Sequence, residues 1–599
     1  MDRKTIAVMV ACIGFVFLWQ GVLVPKYFME KRPVSAVNTN AAPAAISSTT
    51  TNATNTASTI VAPGVIIARA DISTNNPEQL LVITNENARY TFTSRGGGLK
   101  EIELVKFPET IARKRKDQAA ATNFATLNTH AHLPVLGILG GEALVGDGVF
   151  TLTPMDSGVR AEKTLPNGLR LVKEFTASTN YLVHAKVRFE NTSGGALALP
   201  LQEWVVGTAT PMGGDDDGSA VGLMWYDGTK SKLHETLTAY FDNKTLGCFP
   251  GTPKTEYRDG ASNIVWAVAH NQFFASIVML DAPASQIVSR AIDLPRPTEG
   301  KFSTTNNPAL KGFETTVHYP ATTLEAGKSI ERNVNLFIGP KEYKTLASIA
   351  NRYNNDVDKA MGFGFFGFFS KALLLVMNWL HGVLSIPYGW AIIVITILLK
   401  ILFWPLTAAS TRASQKMAAL APQIAALKEK HKDDPAKFSA KQMEFYKENK
   451  INPVAGCLPM LVQLPVFFGF FMMLRTAIEL RGASFFWATD LSKTDTIFFI
   501  SGFPINVLPL LYIATAIWQT HVTPMSPGMD PAQQKMMRWM PLMFLVILYN
   551  FSSGLALYMT VNNLLTILQT KMTKAPVAAT TPTAPPTASV LTPASKKKK

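Results

Sequence analysis

A single lysine interrupts an otherwise apolar segment that is long enough to cross a bilayer. The segment covers residues 387–407 (PYGWAIIVITILLKILFWPLT), and the charged residue inside it is Lys400. About 20 apolar residues in a helix span the ~30 Å hydrocarbon core of a membrane. An ionisable side chain there costs about 2.5–3.5 kcal/mol, so it marks a functional or structural site. The segment therefore predicts a membrane protein with a polar site at Lys400.

Composition divides the chain near Met361. Apolar stretches concentrate after this residue, and short alternating runs typical of strands lie before it. The formal net charge is +15, but the basic residues flank apolar segments and form no patch interleaved with aromatic residues, which argues against a DNA partner. Cys12, Cys248 and Cys457 lie in three different regions, which argues against a disulfide framework or a four-cysteine metal site.

Motifs for catalysis or cofactor binding are incomplete. His234 and Glu235 lack the second histidine of a zinc-binding helix, and Lys328 follows a glycine but has Thr322 where a phosphate-binding loop needs its first glycine. The acidic turn at 215–217 resembles a cation site only in its composition, and such turns are usually solvated. We therefore predict that the protein is not an enzyme and uses no cofactor or metal.

The amino-terminal part of the chain predicts an anchor, a linker and a β-rich domain. Residues 1–24 contain an apolar run of about 20 residues and predict an uncleaved transmembrane anchor, with a cleaved signal peptide as the alternative. Residues 25–59 are mostly Ala, Thr, Asn and Ser and predict a disordered linker. Residues 60–345 contain alternating runs such as 169–176 and 181–190 and predict a β-sandwich.

Residues 346–385 predict connecting helices and an amphipathic helix at the membrane surface. The run 363–384 is long and apolar enough to span a bilayer, but Lys371, Asn378 and His381 fall on one side of a helix. Such a polar stripe favours a helix that lies in the interface over one that spans the membrane.

Residues 386–573 predict a core of five transmembrane helices. The first is followed by the loop 410–452, in which Lys and Arg outnumber the acids, so the positive-inside rule places this loop in the cytoplasm. Helical spacing of its apolar residues, and a second helix beginning at Asp434 and Pro435, predict a helical hairpin. This hairpin is either a solvated connector or a docking arm for a substrate. The four further spans are predicted at 455–474, 498–518, 539–551 and 554–570.

The predicted spans also give an orientation. With the amino end inside, six spans place the β-rich domain outside and the hairpin and carboxyl end in the cytoplasm. Residues 574–599 are rich in Ala, Thr and Pro and end in four lysines, so they predict a disordered basic tail. Its charge suits anionic lipid or ribosomal RNA, or serves solubility alone.

Polar side chains recur at membrane depth in this core. They indicate either hydrogen bonding between helices or a water-filled cavity open to the cytoplasm. Lys400 itself is close enough to the cytoplasmic end to snorkel. In such a cavity a cation would attract acids on an incoming chain. The candidate site residues are Lys400, Thr396, Gln463, Gln519, Asn562 and Asn563, with Gln569 further along the last span.

The chain resembles the YidC-type membrane protein insertases. The resemblance covers nearly the whole chain and includes Ser94-Arg95-Gly96-Gly97 and Phe337-Ile338-Gly339-Pro340, which are similar to the large periplasmic domain of Gram-negative members. In the membrane half it is carried by residues 390–407, the turn NPVAGCLP at 452–459, Gln463-Leu464-Pro465, Asp530-Pro531 before Gln533-Gln534-Lys535, Ser553-Gly554-Leu555, Leu557-Tyr558 and Asn563.

The resemblance implies a chaperone and insertase of the bacterial inner membrane. Its five-helix core would hold a hydrophilic groove open to the cytoplasm and to lipid, and its clients would be nascent membrane proteins, inserted alone or with the Sec translocon. The family's groove cation is typically an arginine, whereas the matching residue here is Lys400, which keeps the charge but loses the planar fork. The ribosome and membrane lipids are further implied partners.

Two other classes of protein remain as alternatives. A secondary transporter would bind a solute at the polar midplane residues, although the spans show no internal repeat. A β-sandwich of this size could also process carbohydrate, although no spaced pair of carboxylates stands out.

Overall fold

The fold is taken from a computed structural model of the chain. It describes residues 77–111, 123–229, 233–242, 251–305, 307–432, 434–449, 458–500, 503–523 and 531–573. The predicted anchor at 1–24, linker at 25–59 and tail at 574–599 lie outside these residues. The chain forms two compact units, one built from residues up to 392 with 465–507 and 550–555, the other from 393–464, 508–549 and the segment from 556 onward.

Strands dominate the first unit. They are β1 Leu80–Thr84, β2 Arg89–Thr93, β3 Gly98–Pro108, β4 Phe124–Leu127, β5 Ile138–Leu139, β6 Thr151–Met155, β7 Gly158–Thr164, β8 Leu169–Ala177, β9 Leu182–Asn191, β10 Leu197–Leu199, β11 Gln202–Ala209, β12 Gly222–Tyr226, β13 Leu233–Leu237, β14 Glu256–Asp259, β15 Ile264–His270, β16 Phe274–Ala284, β17 Gln286–Asp293, β18 Lys311–Tyr319, β19 Thr322–Leu324, β20 Ser329–Pro340, β21 Thr496–Ile500 and β22 Phe503–Asn506.

Two short helices, α1 and α2, lie within the strand region, and the other helices follow it and make up most of the second unit. They are α1 Glu142–Val145, α2 Thr238–Asp242, α3 Tyr343–Tyr353, α4 Gly367–Leu384, α5 Tyr388–Leu402, α6 Trp404–Ala419, α7 Ala421–Lys430, α8 Pro435–Glu448, α9 Leu458–Thr476, α10 Val507–Val522, α11 Pro531–Leu548 and α12 Ser553–Met572.

Two antiparallel sheets form the centre of the β-rich domain. A nine-stranded sheet has the order β13-β12-β15-β16-β20-β9-β8-β7-β6, and a five-stranded sheet has the order β14-β17-β18-β11-β5. They pack face to face through β11 and β18 against β15 and β16. Trp204 on β11 is fully buried, with its ring centroid 6.1 Å from that of Phe189 on β9. Strand β9 alternates buried and more exposed residues in its second half, as the sequence pattern predicts, whereas every residue of β11 is buried.

The structure confirms the prediction of a β-rich domain followed by a helical region. The predicted strand pair near residue 180 is present as β8 and β9, which pair from Leu169 opposite Asn191 to Ala177 opposite Val183. Asn180 and Tyr181 in the connecting turn have φ of 57° and 62°, and such a conformation is common for asparagine but rare for tyrosine.

Helix α4 has one polar stripe and one bare apolar face. The Nζ atom of Lys371 lies 4.9 Å from the ring centroid of Tyr343, and the Asn378 amide donates a 2.9 Å hydrogen bond to the Glu479 carboxylate. On the other side of the helix, Trp379 and Val383 are exposed. The helix is therefore amphipathic, and its location in the membrane interface stays a prediction.

The length and hydropathy of the helices in the structure indicate fewer spans than the sequence predicts. Among the described residues, α4 is the one helix long and apolar enough to cross a membrane by itself, and α5 with α6 would be a second if the bent pair is counted as one span. Helix α10 is apolar but shorter. The count of six transmembrane helices stays a prediction.

The predicted span at 387–407 is broken. Helix α5 ends at Leu402, and α6 begins at Trp404 with the two axes bent by 64°. Pro405 is the cause, because proline in the first turn of a helix is tolerated but its ring clashes with the carbonyl four residues earlier in a continuous helix. Lys400 therefore lies in the last turn of α5, where a cation also suits the negative end of the helix dipole.

The predicted span at 498–518 is also different in the structure. Its first part forms the antiparallel hairpin β21–β22, and the helix α10 begins only at Val507. The sequence dipeptide Ser501-Gly502 divides the apolar run into two strand-length pieces, and Pro504 disfavours a helix through this point.

The basic loop at 410–452 contains the end of α6 and the helices α7 and α8, with one break that the sequence did not predict. Helix α8 begins as predicted, because the Asp434 side chain accepts a 3.0 Å hydrogen bond from the Lys437 backbone N–H and caps the helix. The first predicted helix is divided at Leu420 into α6 and α7. The hairpin has its own small core, in which Leu420, Phe438 and Phe445 surround the buried residues Met417, Ile424 and Tyr446.

Candidate functional site

A polar stripe runs along α12 in the second unit. Tyr558, Asn562, Thr566 and Gln569 follow one another at intervals of four, four and three residues, so they lie on one side of the helix over roughly 17 Å. The side chains of Tyr558, Thr566 and Gln569 bond side chains on other helices of the unit. The backbone carbonyl of Asn562 accepts a hydrogen bond from Thr566 within α12. This helix therefore organises the polar residues that the sequence analysis selected.

Lys400 reaches the stripe at its centre. Its Nζ atom donates a 2.8 Å hydrogen bond to the Thr566 hydroxyl, which in turn donates to the backbone carbonyl of Asn562 at 2.7 Å. Thr396 lies one turn earlier on α5, so it shares a side of the helix with Lys400, and it is buried. The structure thus brings three of the predicted site residues, Lys400, Thr396 and Asn562, to neighbouring positions on two helices.

The hydrogen-bond partner of the Lys400 ammonium group is a hydroxyl group. In the part of the chain that the structure describes, no carboxylate lies within ion-pairing distance of its ammonium group, while exposed lysines such as Lys441 have one, at 2.6 Å from Glu444. A threonine hydroxyl accepts a hydrogen bond but does not neutralise the charge. The cation can therefore still attract an acidic group.

Gln463 and Tyr558 form a second contact along the same stripe. The Gln463 amide on α9 donates a 2.8 Å hydrogen bond to the Tyr558 hydroxyl on α12. Tyr558 is almost fully buried, whereas Gln463 is half-buried. Gln463 is thus at the edge of the packed helices, with part of its side chain accessible.

The remaining predicted residues are on the α10 side of α12 or near its end. The Asn563 amide donates a 3.3 Å hydrogen bond to the Thr515 hydroxyl on α10. Gln519 lies one turn after Thr515, and the described residues give its side chain no hydrogen-bond partner. Gln569 bonds the Thr407 hydroxyl on α6. Gln519 and Asn563 therefore do not share the Lys400 cluster, although all belong to the same unit.

The residues that join these groups were not predicted from the sequence. Thr515, Tyr558 and Thr566 were not selected, because single hydroxyl groups are common in membrane helices and usually bond their own backbone. Their spacing was the available signal, since Tyr558 and Thr566 are each four residues from Asn562.

The contact between Gln463 and Tyr558 leads to a stability prediction. We expect a double-mutant cycle of Gln463→Leu and Tyr558→Phe to give a coupling energy of about 0.6 kcal/mol and no more than ~1.7 kcal/mol, because polar contacts between membrane helices are worth little more. The measurement is the free energy of unfolding in mixed micelles. A coupling energy of zero would show that this hydrogen bond does not stabilise the helix packing.

Two sequence families match this chain, and together they cover both units. The model of the family described as "60Kd inner membrane protein" matches residues 379–580, and that described as "YidC periplasmic domain" matches residues 80–376. The second match coincides with strands β1 to β20, helices α1 to α3 and the first half of α4, and the first with the end of α4 and the region that follows.

Individual relatives agree with these family matches. A protein of Neisseria gonorrhoeae described as "Membrane protein insertase YidC" is 32% identical over 510 residues, which are 82% of this chain and 87% of that protein. One of Pelobacter propionicus with the same description is 32% identical over 593 residues, or 95% and 98% of the two chains. A solved structure titled "Active YidC insertase crystal structure with the first transmembrane domain resolved" covers 84% of this chain at 18% identity, with a TM-score of 0.32. The two relatives that are 32% identical over most of the chain establish that it belongs to the YidC family of membrane protein insertases.

Proposed function

We propose that the polar side of α12 and its partners form a substrate groove that receives the polar flanks of nascent inner-membrane proteins. The proposed groove residues are Lys400, Thr396, Gln463 and Asn562, together with Gln519 and Asn563, which extend the groove on the α10 side of α12. A client would enter from the cytoplasm, hold its polar flank in the groove for a short time, and release its apolar segment into lipid.

The observation that carries this proposal is the hydrogen bonding of the Lys400 ammonium group. Its ammonium group bonds a hydroxyl, and within the described residues no carboxylate neutralises it. A structural lysine would be expected to gain most from a fixed counter-ion, because an uncompensated charge in an apolar region is costly. A site that binds acidic flanks only in passing needs a cation that stays available.

The energetics of insertion also fit a protein without a nucleotide site. Moving an apolar helix from water into lipid is strongly favourable, so the barrier lies in carrying the polar flank across the hydrocarbon core. A row of hydroxyl and amide groups about 17 Å long would lower that barrier by replacing part of the water that the flank loses.

The wider topology and the partners belong to the same proposal. Six transmembrane helices, with the amino-terminal anchor as the first, would place the β-rich domain in the periplasm and the α7–α8 hairpin and the carboxyl end in the cytoplasm. The excess of basic residues in the loop at 410–452 supports this orientation. We further propose that the protein acts alone or beside the Sec translocon, with the basic hairpin and tail facing the ribosome.

Reconstitution tests the proposal against the transporter alternative. Full-length protein in liposomes should make the acidic flank of a single-span client resistant to added protease, whereas empty liposomes should not. Uptake of small solutes should not rise above the leak of empty liposomes. Solute uptake without any protected client flank would favour a transporter and overturn the insertase proposal.

A further inference from the structure

The hairpin β21–β22 is apolar on both of its faces. Phe498 and Phe499 are consecutive residues of β21 and therefore point to opposite faces, yet they are 51% and 50% exposed. Ile500 and Phe503, at the turn end, are exposed as well. A hairpin that stands in water usually has one polar face, because large bare apolar surfaces promote aggregation.

The hairpin itself contains no charged residue that would favour its exposure to water. No charged residue occurs between Thr496 and Trp518, so the sequence runs without a charge from the hairpin into α10, which begins at Val507. The polar residues sit at the open end of the hairpin, where the Thr496 hydroxyl donates a 2.6 Å hydrogen bond to the Asn506 side chain. The large apolar residues thus lie along both strands beyond this polar base.

The chain before the hairpin is attached to the β-rich domain. The Arg481 guanidinium donates a 2.8 Å hydrogen bond to the backbone carbonyl of Glu109 and lies 5.5 Å from the ring centroid of Phe274. The hairpin therefore lies between a segment bound to the β-rich domain and the start of an apolar helix. Such a position is the boundary between the aqueous side of that domain and the membrane.

Exposed aromatic residues next to the hairpin support the same boundary. Phe486 and Trp487 are exposed, and the Trp487 indole N–H donates a 2.9 Å hydrogen bond to the Asp495 carboxylate. An exposed indole ring with its N–H bonded on the polar side is typical of aromatic residues at the headgroup level. Trp487 is therefore held next to Asp495, which immediately precedes the hairpin in the sequence.

We propose that the hairpin β21–β22 inserts into the headgroup and upper acyl region of the leaflet that faces the β-rich domain, as a lipid anchor of this unit. Its depth is limited, because sheets that cross the hydrocarbon core are closed barrels and this sheet has two strands in the described structure. The occupant of both faces is lipid, since the apolar sequence of the hairpin runs without a charged residue into the apolar helix α10. This inference depends on the membrane location of α10 and not on the groove.

Spin labels in proteoliposomes test the anchor directly. The three native cysteines are replaced by serine, and single cysteines are placed in the full-length protein at Phe498, Phe499 or Ile500. Leu398, exposed on α5, serves as the lipid control, and Ser329, exposed on β20, serves as the water control. Oxygen partitions into lipid and nickel chelate into water, so the ratio of the two collision rates reports the environment of each label.

We expect the ratio of oxygen to nickel collisions at the three hairpin positions to be several-fold higher than at Ser329, and the depth to be smaller than at Leu398. A nickel-dominated ratio at all three positions would place the hairpin in water and overturn the proposal. Low collision rates with both reagents would place it against protein, such as a second copy or a client, and would overturn the proposal equally. No client is present, so this result is separate from that of the insertion assay.

Discussion

Replacing Lys400 by glutamate is expected to slow insertion of clients with acidic translocated flanks by about tenfold or more. Two unit charges ~5–6 Å apart attract by about 3 kcal/mol at an effective dielectric constant near 20, and charge reversal turns this attraction into repulsion. Water in the groove and salt reduce the effect, but each 1.36 kcal/mol that remains is about a factor of ten in rate. The measurement is the initial rate of flank protection in proteoliposomes.

Two control variants separate the charge from its surroundings. Lys400→Arg keeps the cation and should insert the same clients within about twofold of the native rate, because the site holds no bidentate partner for a planar fork. Thr566→Val removes the hydroxyl that Lys400 bonds but leaves the charge, and should also have a small effect. Native insertion rates for the Lys400→Glu variant, with acidic clients, would eliminate the charge as a contributor to function.

Replacing residues 421–448 by a flexible linker is expected to reduce insertion to the level of liposomes without protein, while the membrane helices stay folded. This segment contains α7 and α8, whose apolar residues pack into their own small core with Met417. Helix α6 keeps its contact with the end of α12, because the Gln415 amide donates a 2.8 Å hydrogen bond to the Thr573 carbonyl outside the deleted segment. A hairpin with a separate core contributes little to the packing of the remainder.

The insertion rate of the deletion variant tests whether insertion is lost, and its thermal unfolding tests whether the membrane helices stay folded. A matched variant with Lys428, Lys430 and Lys432 changed to glutamine retains the hairpin but lowers its positive charge. If the hairpin acts as a docking arm, this variant should insert clients faster than the deletion and show a weaker dependence on salt. Unchanged insertion after the deletion would show that the hairpin is only a connector.

The architecture could be predicted where one physical signal dominates. Alternating strands before Met361 and apolar helices after it are confirmed as a β-rich domain and a helical region, and the cap at Asp434 is confirmed in detail. The family assignment confirms the expectations of an insertase and of a non-enzyme. These features depend on local periodicity, capping chemistry or motif combinations, all of which are visible in one sequence.

The parts that were not predicted depend on local breaks or on packing between distant residues. The span at 387–407 breaks at Pro405, and the apolar run at 498–506 is a hairpin, because apolar content alone does not distinguish a strand from a helix. The partners of Lys400 and Gln463 are 166 and 95 residues away in sequence, so only the packing of α12 identifies them. The candidate groove residues stay a proposal.

Crosslinking from the groove to a ribosome-bound nascent membrane protein tests the insertase mechanism most directly. A photoreactive residue is placed at Thr396, Lys400 or Gln463, and at Leu398 as a control on the exposed side of α5. We expect the three groove positions to crosslink to the polar flank of the client, and Leu398 to crosslink to lipid or to the apolar segment. Crosslinks from all three groove positions to lipid alone would contradict the proposed groove.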